Sequence, residues 1–278
     1  MRSFSQVDVF TDEFLSGNPV AVVHGADGLT TEQMAAFARW TNLSETTFLL
    51  EPTDPAADYR LRIFTVGREL PFAGHPTLGS ARAWLASGGE PRTPGRLVQE
   101  CGAGLVSLRR NGDRLAFAAP PLRRSGPVAD GTVETLAAAL RIEPAAIVDA
   151  QWADNGPGWV AVRLASADAV LALEPDPAAF DEYTDVGVVG PYPPGGEVAF
   201  EVRAFVTDGG TLWEDPVTGS LNAAIAQWLI PAGTAPAAYV ASQGTRLRRR
   251  GRVHVEQAGD EIWVGGDTVI GITGSVAL

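Results

Sequence analysis

Hydrophobic and polar positions alternate in short runs along most of the chain, which is typical of strands with one face in a core. Residues 7–10 and 19–23 are two such apolar runs, and the turn between them contains Gly17 and Asn18. Apolar runs joined by a glycine-containing turn predict a pair of strands. Similar runs recur to the end of the chain, and only a few stretches follow a helical period. The pattern therefore predicts a mixed α/β fold with many short strands.

The first helical stretch is marked at its start by a polar pair. Thr30 and Gln33 have the spacing of a capping box, in which each side chain satisfies the other's backbone N–H. Met34, Phe37 and Trp40 follow at a spacing of three and predict one apolar face. A second helix is predicted over residues 132–140.

The strongest feature of the pattern is an internal repeat. Residues 75–80 and 215–220 share proline, glycine and serine at the same places, at an offset of 140. Each unit follows a strand-like run and leads into an apolar helical run. Two further elements recur in the same order, namely residues 19–22 with 159–162 and the hairpin 104–117 with 251–264. Several elements in order indicate an internal duplication, which one chance match would not.

The duplication predicts two similar, pseudo-symmetric domains, each a strongly curved, barrel-like and mostly antiparallel sheet around a central helix. We place the N-terminal domain at residues 1–118, joined by the tail 266–278, and the C-terminal domain at 128–265. The proline-rich stretch 120–127 is the predicted linker. The active site is expected in a cleft between the domains, with the two repeated helix starts facing each other.

The amino-acid composition argues against several classes of function. The chain has 278 residues and a net charge of −12, which argues against nucleic acid or an anionic membrane as a partner. It contains no lysine, so a Schiff base and a P-loop lysine are excluded. One cysteine excludes an intrachain disulfide, a cysteine-rich zinc site and a two-cysteine mechanism. Three scattered histidines suggest no metal cluster. We expect no membrane span or signal peptide, and a cytoplasmic protein.

The candidate chemistry lies at three residues. Glu45 stands at the start of an apolar run, where partial desolvation would raise the pKa of its carboxyl group; the alternative is a solvated carboxylate at a strand end. His75 is either catalytic or a structural loop histidine. Asp215 is either a site residue or the N-cap of its helix. The two helix starts bearing His75 and Asp215 offer backbone N–H groups to a carboxylate.

Two other features have simpler interpretations. Cys101 is predicted to be a small buried residue. The arginine cluster within residues 246–252 is interpreted as a solvated turn that could attract an anionic ligand.

The chain resembles the PhzF family, named for the phenazine biosynthesis isomerase, within the diaminopimelate epimerase-like fold. The matching motifs run in family order through residues 8–11, 17–23, 42–48, 71–79 and 214–220. The resemblance implies two pseudo-symmetric domains, no cofactor, a small carboxylate-bearing substrate between the domains, and a homodimer. Related epimerases carry cysteines where this chain has His75 and Asp215. Many relatives continue with Ala-His after the serine, whereas this chain has Leu221 and Asn222.

Carried over by position, the resemblance implies that Glu45 moves the proton and that Gly74, His75, Asp215 and Ser220 line the substrate pocket. We predict that Glu45, His75 and Asp215 are catalytic, and that Ser44, Gly74, Gly219 and Ser220 bind substrate. The leading hypothesis is a cofactor-independent isomerase that moves a proton on a substrate of the dihydro-hydroxyanthranilate type. The alternatives are a non-catalytic binding protein and an epimerase or racemase that uses Glu45 in place of a cysteine pair.

Overall fold

The computed structural model describes residues 1–180, 185–208 and 211–278. The chain divides into two compact units. Unit 1 comprises Met1–Ala118 and Gly265–Leu278, and unit 2 comprises Ala119–Val264.

The first part of unit 1 alternates short strands with two helices. In chain order these are β1 (Arg2–Val9), β2 (Asn18–Val23), α1 (Thr31–Thr41), β3 (Thr46–Leu50), β4 (Tyr59–Phe64), β5 (Glu69–Leu70), α2 (Gly74–Ala86), β6 (Arg96–Cys101), β7 (Gly104–Asn111) and β8 (Arg114–Ala118).

Unit 2 follows with the same kinds of element. They are β9 (Arg124–Pro127), α3 (Thr132–Leu140), β10 (Ile147–Asp154), β11 (Val160–Leu164), α4 (Ala167–Leu171), β12 (Asp185–Pro191), β13 (Phe200–Asp208), β14 (Thr211–Asp215), α5 (Gly219–Leu229), β15 (Ala238–Gln243), β16 (Gly251–Ala258) and β17 (Glu261–Gly266). The last strand, β18 (Thr268–Val276), belongs to unit 1 and pairs antiparallel with β1.

The strand pairs of the two units follow the same series of parallel and antiparallel pairings along the chain. In unit 1, β1–β2 is antiparallel, β2–β3 parallel, β3–β4 antiparallel, β4–β5 antiparallel and β4–β6 parallel. In unit 2, the same directions join β10–β11, β11–β12, β12–β13, β13–β14 and β13–β15. The predicted duplication and the mixed, mostly antiparallel fold class are confirmed by this match.

Each unit is organised around its longest buried helix. Helix α2 packs against β1, β2, β3, β4 and β8, and nine of its thirteen residues are buried. Helix α5 packs against β10 and β16 and is buried along most of its length. Small residues permit this close approach: a Cβ added to Gly79 would meet Val20 Cγ1 at 2.3 Å. The prediction of a central helix is therefore confirmed in both units.

Several elements differ from their predictions. Helix α1 has the predicted capping box, but Trp40 is 80% exposed and only Met34 of the expected face is fully buried. The reason is that a spacing of three slips by about 60° per step on a 3.6-residue helix, so Trp40 has rotated away from the sheet. The predicted linker also contains structure, since Arg124–Pro127 forms β9 and pairs with β10. Helix α3 has its predicted bounds.

Among the described residues, no helix is both long and apolar enough to cross a membrane.

Candidate active site

Glu45 and His75 meet in unit 1. Glu45 lies in the connection between α1 and β3, and His75 lies in the first turn of α2. His75 Nδ1 is 3.2 Å from Glu45 Oε2, with side chains 5% and 15% exposed, respectively. The pair therefore forms although the two residues are thirty positions apart, because α2 packs directly against β3.

Burial controls the charge of His75. Loss of solvent lowers its pKa to about 3, and a hydrogen bond involving the Pro19 backbone opposes this only in part. The imidazole is consequently neutral at pH 7. A neutral imidazole at this distance brings no positive charge to the Glu45 carboxyl group. Glu45 therefore stands beside a polar but uncharged partner.

A buried hydroxyl pair anchors α2 behind these residues. Thr47 Oγ1 donates to the Ala21 carbonyl over 3.1 Å, so its contact with Ser80 Oγ at 2.8 Å has the serine as donor. Closer to the start of α2, Gln99 Nε2 donates to Thr77 Oγ1 over 3.1 Å. These bonds hold the helix against β3 and β6 and so fix the position of its first turn.

Asp215 occupies a different place from the one expected of an N-cap. It ends β14, where it pairs with Ala204 of β13, and helix α5 begins only at Gly219 with Thr218 as N-cap. The N-cap interpretation of Asp215 is therefore wrong. The carboxylate instead accepts a hydrogen bond at Oδ2 from the Thr218 hydroxyl, at 2.6 Å.

Gln243 organises the backbone around Asp215. Its Oε1 accepts from the Thr218 backbone N–H at 3.0 Å and from Asn222 Nδ2 at 2.8 Å. Its Nε2 donates to Thr218 Oγ1 at 2.9 Å and to the Asp215 carbonyl at 3.1 Å. Gln243 is fully buried at the end of β15. Gln243 is not among the site residues predicted from the sequence.

Two residues outside helix α5 donate hydrogen bonds to Ser220. Trp159 Nε1 donates to Ser220 Oγ over 3.0 Å, and Asn155 Nδ2 donates to the Ser220 carbonyl over 2.8 Å. Because an indole N–H is only a donor, the contact occupies a lone pair of the hydroxyl and leaves its proton for an acceptor. Ser220 follows Gly219 in the first turn of α5, which its N-cap Thr218 does not cap with a side-chain bond.

The remaining predicted site residues lie near these groups in sequence. Ser44 precedes Glu45 and is half-buried, and Gly74 begins α2. A Cβ at Gly74 would meet Phe117 Cζ at 2.5 Å, so glycine is required there for packing.

Two other features of the sequence, Cys101 and the arginine cluster, make contacts of a structural kind. Cys101 ends β6, is half-buried rather than fully buried, and has a raised pKa because of desolvation. Within the arginine cluster, Arg246 pairs with Glu174, while Arg250 and Arg252 approach Glu197. Among the described residues, no group of three or more histidine, cysteine or acidic side chains is placed to hold a metal ion.

A signal for the missed residues exists in the repeat. Gln99 and Gln243 are both buried in the strand after the central helix of their unit, and both bond a threonine at or near the start of that helix. A buried glutamine in the strand after the central helix of each copy marks a polar contact with that helix. No comparable sequence signal points to Trp159 or Asn155.

Known proteins share this architecture. The chain matches the family described as phenazine biosynthesis-like protein, PhzC-PhzF, over residues 7–274. The trans-2,3-dihydro-3-hydroxyanthranilate isomerase of Pseudomonas fluorescens is 37% identical, over 68% of this chain and 66% of its own. The Schizosaccharomyces pombe protein named antisense-enhancing sequence 1 is 35% identical over 98% of both chains. The structure of a PhzF-family phenazine biosynthesis protein from Enterococcus faecalis is similar at a TM-score of 0.82, with 25% identity over 100% of this chain and 99% of that one.

The duplicated α/β fold and these relatives define an enzyme of the isomerase class. The chain belongs to the PhzC-PhzF family of phenazine biosynthesis-like proteins.

Proposed function

We propose that this chain is a cofactor-independent isomerase that moves a proton on a small carboxylate-bearing substrate. The observation that carries the proposal is the contact between Glu45 and His75 at 3.2 Å. It combines a mostly buried carboxylate with an imidazole that is neutral at pH 7. A carboxyl group mostly removed from solvent, beside a partner that carries no charge, is suited to act as a general base.

In the proposed reaction, Glu45 takes a proton from one substrate carbon and returns it to another. The electron pair released from the broken C–H bond moves through the conjugated system of the substrate, and the new C–H bond forms at its far end. No atom or electron is gained or lost overall. His75 Nδ1 lies 3.2 Å from Glu45 Oε2, and the Glu45 carboxyl group takes the substrate proton.

The substrate carboxylate is proposed to bind at the first turn of a central helix. Backbone N–H groups and the helix dipole favour an anion at such a place. The hydroxyl proton of Ser220 adds a donor at α5, because its lone pair already receives the Trp159 N–H. A substrate of the trans-2,3-dihydro-3-hydroxyanthranilate type, for which the Pseudomonas relative is named, carries a carboxylate. A single active site that uses both Glu45 and Asp215 remains a prediction.

The proposal is tested by exchange in D2O with trans-2,3-dihydro-3-hydroxyanthranilate. An isomerase forms the isomeric product, with deuterium at the new carbon when the proton on Glu45 exchanges with solvent before its return. An epimerase places deuterium at the original centre, and a binding protein forms no product and incorporates none. Glu45→Gln keeps the shape of the side chain but cannot cycle a proton, so exchange should fall by about 10²–10⁴-fold. Binding should stay within about tenfold, or 1.4 kcal/mol.

Glu51→Gln is the matched control. Glu51 directly follows β3 and is exposed, whereas Glu45 directly precedes it. The control should exchange at the wild-type rate. Undiminished exchange in Glu45→Gln would contradict the assignment of Glu45 as the base.

A further inference from the structure

Gln243 has an amide orientation that its neighbours determine. The Thr218 backbone N–H is a donor, so the atom of Gln243 that it approaches at 3.0 Å is the oxygen. The Asp215 carbonyl is an acceptor, so the atom that approaches it at 3.1 Å is the nitrogen. The two contacts agree, and a flipped amide would face donor with donor and acceptor with acceptor.

This orientation fixes the direction of the Thr218 hydroxyl. Gln243 Nε2 donates to Thr218 Oγ1 at 2.9 Å, and nitrogen of an amide does not accept. The hydroxyl proton must therefore point elsewhere, and Asp215 Oδ2 lies 2.6 Å away. A hydrogen bond of this length to a carboxylate is of the short, charge-assisted kind. Asp215 Oδ2 is consequently an acceptor.

We infer that Gln243 is a positioning residue that acts through Thr218 to keep Asp215 Oδ2 a hydrogen-bond acceptor, which favours the ionised form of the carboxyl group. It touches no reacting atom itself. If Asp215 takes part in the reaction, which rests on the proposed function, it receives a hydrogen bond or a proton from the substrate and does not donate one.

The charged residue next to Asp215 in the chain has a partner of its own. The neighbouring Glu214 lies on the opposite face of β14, because successive side chains of a strand alternate. It is paired with Arg203, whose Nη2 is 2.8 Å from Glu214 Oε2. Their pairing therefore gives Glu214 a separate partner, and its titration is distinguishable from that of Asp215.

Unit 1 contains a matched control for the hydroxyl. Gln99 Nε2 also donates to a threonine, Thr77 Oγ1, at 3.1 Å, and both residues are fully buried. Thr77→Val therefore removes a comparable buried hydroxyl, one that also accepts from a buried glutamine, from unit 1. It should leave the titration of Asp215 unchanged.

The experiment follows the carboxyl signal of Asp215 against pH by NMR, in full-length protein labelled with ¹³C at aspartate. Asp215→Asn assigns the signal by its disappearance. Thr218→Val removes the donor at nearly constant shape, and the titration midpoint should rise by about one pH unit, since hydrogen bonds to charged groups are of that strength. Thr218→Ser keeps the hydroxyl and should restore the wild-type midpoint. Gln243→Leu should shift the midpoint in the same direction as Thr218→Val.

An unchanged midpoint in Thr218→Val would overturn the inference, as would equal shifts in the valine and serine variants. If Gln243→Leu does not fold, the valine and serine variants of Thr218 still test the hydroxyl. Wild-type protein that shows the expected titration but no exchange in D2O would overturn the proposed function and leave this inference intact.

Discussion

The starts of the two central helices carry nearly the same residues but have different structures. Helix α2 begins at Gly74, one residue before His75, whereas α5 begins at Gly219, four residues after Asp215. The preceding strand explains the difference. Strand β5 ends at Leu70, while β14 continues to Asp215, which is still paired with Ala204. Because β14 extends further into its copy of the motif than β5 does, α5 begins later in the motif than α2. The aligned positions therefore hold a buried histidine in unit 1 and a strand-end carboxylate in unit 2.

The serines of the two copies differ in the same way. Ser80 donates its proton to Thr47 and is fully buried, so it serves to anchor α2. Ser220 accepts from Trp159 and keeps its proton to donate. One copy of the motif has thus become part of the packing, and the other retains a donor at a helix start. Sequence equivalence in a repeat does not imply equivalent chemistry.

The largest expected effect comes from making unit 1 resemble unit 2. His75→Asp places a second carboxylate beside Glu45 in a buried position, which should lower the free energy of unfolding at pH 7 by about 3–5 kcal/mol. Urea denaturation measures the loss. Because the buried acid titrates above its usual range, the variant should be more stable at pH 5 than at pH 7. His75→Asn adds no charge, and an equal loss in both variants would contradict the electrostatic explanation.

A smaller effect concerns the wild-type histidine. Its pKa is lowered to about 3 in the folded protein, so between that value and 6.5 the unfolded chain binds more protons. The free energy of unfolding should therefore fall as the pH falls, by about 2 kcal/mol from pH 6.5 to pH 5.

His75→Asn should remove most of this slope. His24 is the control, because burial also lowers its pKa and it contacts Ser5 at 3.0 Å. His24→Gln should keep the larger part of the dependence. A slope that His75→Asn leaves intact would mean that another group causes it.

The smallest expected effect lies at α5. Trp159→Phe removes the donor that orients Ser220 while keeping most of the buried volume. KM for the carboxylate substrate should rise about fivefold, equivalent to about 1 kcal/mol, the usual contribution of one hydrogen bond, with kcat little changed. Trp228→Phe changes a buried tryptophan of helix α5, the helix that carries Ser220, and should leave KM unchanged. If Ser220→Ala and Trp159→Phe have fully additive effects on KM, Trp159 does not act through the serine.

The sequence by itself determined the repeat, and with it most of the fold. Alternating apolar runs, a capping box at Thr30 and matching motifs at an offset of 140 predicted two similar units with a helix inside each curved sheet. These signals are local or periodic, so a single chain displays them. The same motifs drew attention to Glu45, His75 and Asp215, and the roles of these residues remain predictions.

Only the tertiary structure decided where each helix begins and which protons point where. The contact of Glu45 with His75, and the hydrogen bonds of Gln243 to Thr218 and Asp215, join residues far apart in the chain. Such contacts depend on strand length and register, which set the distance between atoms to within tenths of an ångström. A pattern of residue types carries no such distance. The pKa of His75 likewise follows from burial by surrounding elements, because desolvation depends on everything packed around the ring.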